Sequence, residues 1–384
     1  MQSSPLRERA RALGAIPLVW AAATREQSAV NLGDALSPVM VALLSSLPVA
    51  HTGHDAKVPR MAAVGTIGHM LRNGDVTVWG TGCSPHANPH RAAGEAHEAF
   101  QPAANTRYRV HATRGPVSRA LFGEAAAVSP AVFGDPVWLL PQFYRPPIEK
   151  KWDLGVIVHL SELKDKGLNA PVRRELTRYH LPDELVEHVH IIRTRTPISA
   201  DSLKARLDEI LACRRIVSTS LHGMVFAESY GIPCLYFAPR GRQQGLIERP
   251  LDPEDGNDLR ITDLYQGLGL SRLPVYVQAR NRATDWRALM AAIDRAWTPK
   301  AFNYEPLLSA FPFDVTPLHP RPGETIFEHP LIRDLPFRPA DAAASARTGT
   351  PRLRQLAARL LKPATRGRTA RPAGADRPPS TGEP

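Results

Sequence analysis

Apolar and polar positions fall into short apolar runs separated by stretches with helical spacing, which predicts strands alternating with helices. Residues 15–22 (Ala-Ile-Pro-Leu-Val-Trp-Ala-Ala) form an unbroken apolar run the size of a buried strand. After a polar loop, Leu36, Val39, Met40, Leu43, Leu44 and Leu47 recur at helical spacing, and Asp34 stands where an N-cap belongs. Further strands are predicted over 61–64, 76–79, 108–111 and 131–133, with a helix over Pro116–Phe122 that opens on proline. In the second half, 153–159, 188–193, 216–219 and 232–237 read as strands. Residues 199–213, capped by Ser199 or Asp201, and 222–230 read as helices, and so does 286–297 within an otherwise less regular 246–337.

Strands alternating with helices mean βαβ units and parallel sheets. The pattern runs twice, broken at the prolines of 141–147. The expected fold is therefore α/β, with Rossmann-like parallel-sheet domains at 1–146 and 147–300 and an extension over 301–337 packed on them. After that the composition turns to Ala, Arg, Pro, Thr and Gly with few large apolar residues, so 338–384 is expected to be a disordered basic tail. Within it Leu353, Leu356, Leu360 and Leu361 share one helical face beside Arg352, Arg354 and Arg359. That segment reads as a transient helix or as one that meets a membrane surface or a partner.

Charge changes the picture little. The net charge is +11, but residues 338–384 hold ten Lys or Arg against three Asp or Glu and so supply +7 of it. A nucleic-acid reading from overall charge is thus a statement about the tail. The three cysteines, Cys83, Cys213 and Cys234, lack C-x-x-C spacing, which excludes a Cys-rich zinc site and a disulfide framework and fits a reducing compartment. His86, His90 and His97 share a loop with Cys83 but match no zinc spacing, and no metal is expected. Arg7, Arg9 and Arg11 before the first apolar run, with Glu8 among them, read as a basic leader to the first strand. No apolar run approaches the ~20 residues that span a bilayer.

Open parallel sheets bind ligands outside the carboxyl ends of their strands, so the residues just after each strand are the candidates. In the first half these are Asn31 and Asp34, Gly80-Thr-Gly82, Arg114 with Arg119 behind it, and Gly134-Asp135. In the second half they are His159 and Ser220-Leu-His222-Gly223. Each has a bland alternative: Asp34 as a cap, Asp135 as a turn former, His159 as a structural histidine, the arginines as surface charges. His222 is the hardest to explain so, because it sits at a strand-to-helix junction where a helix N-terminus favours an anion.

These residues resemble the polysaccharide pyruvyl transferases. The resemblance rests on Asn31-Leu-Gly-Asp34, Arg114-Gly-Pro-Val-Ser-Arg119, Phe133-Gly-Asp-Pro136, the strand ending in His159, and Ser218-Thr-Ser-Leu-His-Gly-Met-Val-Phe-Ala-Glu-Ser-Tyr-Gly-Ile-Pro233. It implies a GT-B-like pair of domains, with no cofactor. The implied reaction takes pyruvate from phosphoenolpyruvate to two hydroxyls of a glycan sugar, in polysaccharide biosynthesis. The acceptor would be a sugar or a lipid-linked oligosaccharide. The implied location is cytoplasmic, at the inner face of the membrane if the basic tail makes peripheral contact. His222, then His159, would carry protons, with His222 as a protonated acid toward the donor. Asp34 or Asp135 would orient hydroxyls or act as base. Arg114, Arg119 and the glycine turns would hold the donor, with Asn31, Ser220, Gly223 and Glu228 lining the site. Many members have Arg immediately before the Leu-His pair; here Ser220 stands there, and Arg240 or Arg242 is the expected substitute.

Two other readings compete. Glu228-Ser-Tyr-Gly-Ile-Pro233 resembles the E-x-x-G-x-P stretch of GT-B nucleotide-sugar glycosyltransferases, but no acidic residue follows between Cys234 and Gly241 to hold a ribose. A non-catalytic nucleic-acid or membrane module would have to act through the tail, since the body carries no nucleic-acid motif. No specific nucleic acid is expected as a partner.

Overall fold

The computed structural model describes residues 4–338 apart from 25, 90–97, 129, 242 and 253–257. Thirteen strands are found among the described residues. They are β1 Ile16–Val19, β2 Ala29–Asn31, β3 Val49–His51, β4 Arg60–Ala62, β5 Gly74–Trp79, β6 Thr106–Ala112, β7 Leu154–Val158, β8 Val189–Arg193, β9 Arg195–Pro197, β10 Ile216–Ser218, β11 Cys234–Ala238, β12 Gly245–Pro250 and β13 Arg272–Val277. The helices are α1 Pro5–Leu13, α2 Leu32–Ser45, α3 Pro116–Phe122, α4 Ala200–Leu211, α5 Leu221–Tyr230, α6 Leu259–Gly267, α7 Trp286–Ala296, α8 Glu305–Ser309 and α9 Pro330–Arg333.

The first-half strands other than β2 form one sheet in the order β3-β1-β4-β5-β6, every pairing parallel. The second sheet runs β12-β13-β11-β10-β7-β8, parallel except where β12 pairs antiparallel with β13. β1, β7 and β11 are buried along their whole length rather than alternately, as parallel strands covered on both faces must be. The two halves also share a small antiparallel ribbon, β2 with β9, which sets Asn31 opposite Arg195.

The mixed α/β architecture with parallel sheets agrees with the sequence reading. Locally it departs in several places. The helix expected from residue 35 begins three residues earlier, because Asn31, not Asp34, is the cap: its side chain accepts from the backbone N–H of Gly33 and of Asp34. Residues 131–133 form no strand and meet the sheet through one bridge, Thr113 with Phe133. The basic leader is the helix α1, capped by Ser4 and closed by Gly14 at φ 71°. The irregular 246–337 contains the β12–β13 hairpin and α6.

Residues 136–142 are two turns of 3-10 helix whose Val137, Trp138, Leu139 and Leu140 are buried between α2 and α5. Through them one apolar cluster takes in residues from β1, α2, α4, α5, α6 and the stretch 307–337. That last stretch is tied back at Trp79, whose indole N–H donates to the Leu307 carbonyl at 2.8 Å, and at Leu43, whose carbonyl accepts from the Leu318 N–H. The expected tail from 339 onward, with its helical face at 351–361, lies outside the described residues. No helix among the described residues is long and apolar enough to cross a membrane.

Candidate functional site

Carboxyl ends of strands in both sheets deliver side chains to one place. In the first sheet, β4 leads to Gly65, β5 to Gly80-Thr-Gly82 and β6 to Arg114. In the second, β7 ends at His159 and β10 leads into Ser220-Leu-His222 at the start of α5. Asp34 rides on the first turn of α2, and Asp135 opens the 3-10 segment that wedges α2 against α5.

The centre is a facing pair. The His222 Nε2 and the Asp135 Oδ2 lie 3.9 Å apart, both residues are buried, and neither atom has a hydrogen-bond partner. Buried polar atoms are nearly always satisfied, so two that are not, facing each other, mark a place where something else binds or reacts. The other Asp135 oxygen accepts from the Val137 N–H at 3.0 Å, which fixes the carboxyl. His222 is packed against the start of α2: a Cβ at Gly33 would lie 2.0 Å from its Nδ1, so only glycine fits there. Ser220 occupies the N-cap position of α5 but makes no capping bond with its side chain, so the first amides of that helix are not capped in the usual way. Such an N-terminus favours a negative charge.

The electrostatics separate these groups. Burial, with Asp135 adding and Arg260 opposing, raises the Asp34 carboxyl from its usual 3.8 to about 6. Burial likewise raises Asp135 to about 6, against the Val137 N–H and Arg114. Burial and then the charges of Arg114, Arg260 and His159 push His222 down to about 3. In the free protein the His222 ring is therefore neutral at neutral pH, and the imidazolium expected there belongs to the complex with the anionic donor. Titratable neighbours driven apart in this way are suited to split acid and base work.

His159 stands at the rim. Its Nδ1 lies 2.7 Å from the Ser161 hydroxyl, and its Nε2 lies 3.2 Å from the Arg260 Nη1. The Nδ1 also accepts from the Ser161 backbone N–H at 3.2 Å, which caps the turn that follows β7. Arg260, in the first turn of α6, donates through Nε and Nη2 to the two Asp258 oxygens at 2.9 and 2.5 Å. Burial alone would raise Asp258, but the hydrogen bonds and charge of Arg260 outweigh it and hold that carboxyl at about 2.

The remaining candidates go to other work. Arg114 is almost wholly buried and paired with Asp263 of α6, with a further bond to the Thr66 hydroxyl at 2.8 Å. Gly82 makes room for that guanidinium, which a Cβ would approach to 2.3 Å. Gly80, at φ 84°, abuts Pro136, and Gly223 packs on the Ser218 hydroxyl. Arg119 bonds to Glu124. Glu228 lies apart from the His222–Asp135 pair: its oxygens accept from the Tyr265 hydroxyl at 2.8 Å and the Trp297 indole at 3.0 Å. The Arg240 carbonyl accepts from Arg249, and Arg242 lies outside the described residues. Arg260, Asp258 and Asp263 escaped the sequence reading. The available signal was Asp258 as a cap before Ile261, Leu264, Tyr265 and Leu268 at helical spacing.

Residues 70–241 match the family model described as polysaccharide pyruvyl transferase. This stretch belongs to that family. The match over that stretch implies a transferase with a glycan acceptor and a part in polysaccharide biosynthesis. No curated protein and no solved structure matches the chain. The matched stretch carries Arg114, Asp135, His159 and His222, whereas Asp34 and Arg260 come from outside it and are brought to the pyruvyl transferase segment by the fold.

Proposed function

We propose that this transferase moves pyruvate from phosphoenolpyruvate onto two hydroxyls of a glycan sugar, leaving a cyclic ketal and inorganic phosphate. The observation that carries the reading is the His222–Asp135 pair, buried and unsatisfied at the uncapped start of α5 within the family-matched stretch. The donor brings a carboxylate and a phosphate, which suit a helix N-terminus and guanidinium groups.

The protons balance simply. Two hydroxyls lose two protons; one ends on the donor's methylene carbon, making it a methyl, and the other leaves with phosphate. Neutral His222 takes a proton from an attacking hydroxyl once the anionic donor has raised its basicity. Asp34 and Asp135, raised to about 6, are fitted to hold a proton for the methylene carbon, the more so once an anionic donor raises them further. His159 and Arg260 keep partial exposure while Asp135, His222 and Arg114 are buried, so this reading has substrate enter past the first pair.

The same reading keeps the GT-B-like division into domains at 1–146 and 147–300, with the crevice between them, and a cytoplasmic setting that gives access to a lipid-linked acceptor. The nucleotide-sugar alternative is less well supported, because Glu228, which would face the sugar nucleotide, has both oxygens committed inside the protein. Binding measurements with phosphoenolpyruvate against UDP- and GDP-sugars, followed by phosphate release with a panel of bacterial glycans, test the reading. Saturable binding of phosphoenolpyruvate and glycan-dependent phosphate release are expected. Binding of a nucleotide sugar with no effect of phosphoenolpyruvate would overturn it.

A further inference from the structure

A donor with a carboxylate and a phosphate needs a guanidinium whose N–H groups reach the open crevice. Arg114 does not meet that description, because it is 1% exposed and its N–H groups are taken by Asp263 and Thr66. Arg119 is held by Glu124. The residue before Leu221-His222 is Ser220, which offers no charge.

From this geometry we propose that Arg260 is the donor-anchoring arginine of the crevice, recognising the carboxylate or phosphate of an enol phosphate. The proposal rests on the pyruvyl-transfer reading and names the residue that binds the donor in it. Three observations carry it. Asp258 holds one edge of the guanidinium through two bonds, so the fork is fixed before any ligand arrives. The third nitrogen, Nη1, lies 3.2 Å from the His159 Nε2, so the edge that Asp258 does not hold faces a candidate catalytic side chain. The side chain is 30% exposed, unlike the sealed Arg114.

The arrangement also links recognition to His159. Nη1 and Nε2 stand within hydrogen-bond distance, at 3.2 Å. An anionic oxygen is the better partner for a guanidinium N–H and would draw Nη1 away from the ring. Arg260 is thus a binding group whose contact with His159 changes as the anion arrives. It lies beyond the family-matched stretch, and the fold brings it there by setting α6 against α3. That contact is close: a Cβ on Gly115 would lie 1.7 Å from the Asp263 carbonyl oxygen, and one on Gly267 would lie 2.5 Å from the Arg114 carbonyl oxygen.

The test is calorimetric titration of phosphoenolpyruvate into the full-length wild type, Arg260→Lys, and the double variant Arg260→Gln/Asp258→Asn. The double variant removes both charges and so leaves no carboxylate unpaired. A second arm adds Ser220→Arg to the double variant. Donor affinity should fall at least tenfold in Arg260→Lys and further in the double variant. Ser220→Arg should recover part of the loss. Wild-type affinity in both Arg260 variants would overturn the assignment. If the wild type itself bound no phosphoenolpyruvate, the pyruvyl-transfer reading would fall and this assignment with it. That outcome differs from one in which only the variants behave unexpectedly.

Discussion

At the residue scale the site is a set of carboxyl and imidazole groups held away from their ordinary protonation. Asp135 binds its proton more tightly in the folded protein than in the unfolded chain, with about 6 against a usual 3.8. The stabilisation linked to that proton is complete below about pH 4 and is lost as pH rises through 6. Asp135→Asn cannot ionise and keeps an acceptor for the Val137 N–H. It should therefore be more stable than wild type at pH 8, by up to about 3 kcal/mol. The gain should shrink toward pH 4, while activity falls at every pH. His222 runs the other way, since its lowered value makes stability fall as pH drops from 6.5 toward 3. Comparing variant with wild type at each pH isolates Asp135. Urea titrations at pH 5 and pH 8 make the comparison; equal stability at pH 8 would show that the carboxylate is already compensated and would withdraw its acid role. Asp34, Asp135, His159 and His222 were all legible in sequence, because each follows a strand or opens a helix. Arg260 was not, because its meeting with His159 spans 101 residues and leaves no local trace.

At the element scale, helix ends decide how the site is presented. Asn31 closes β2 and caps α2, and Asp34 and the His222-bearing contact at Gly33 sit in the turn it caps. Asn31→Ala should cost about 1 kcal/mol in chemical denaturation. Its activity should fall only several-fold, through misplacement of Asp34. A loss beyond about a hundredfold, confined to KM, would instead show that Asn31 touches substrate. The reading of this helix from residue 35 shows why boundaries are hard to see. Leu32 and Gly33 carry no helical signal, and Asp34 is as good a cap as Asn31. Only the β2–β9 pairing, made with residues 195–197, fixes the earlier start. α6 was missed for a related reason: its apolar face is short, and it is set by packing against α3 rather than by a strong local pattern. The strands 154–158, 216–218 and 234–238 were readable because buried parallel strands are uninterrupted apolar runs.

At the scale of the whole molecule, the two sheets are joined by a buried ionic tie as well as by a common apolar cluster. The Asp263 carboxylate accepts from the Arg114 guanidinium and from the backbone and hydroxyl of Ser118, linking the segments after β6 and β13's preceding helix. Asp263→Ala would leave Arg114 charged and buried without a partner. It should destabilise the protein by about 3–5 kcal/mol in urea. Asp263→Asn should cost less, because its amide oxygen still accepts from Ser118. A change under about 1 kcal/mol in Asp263→Ala would mean that water or another group reaches Arg114. The chemistry is tested by phosphate release from phosphoenolpyruvate with a glycan acceptor, counted against the ketal formed on the glycan by NMR, for wild type and His222→Asn. One phosphate per ketal is expected in the wild type. Turnover in His222→Asn should be at least ~10²-fold slower, with donor binding kept within about tenfold. Wild-type turnover in His222→Asn, or phosphate released without any ketal, would contradict that chemistry.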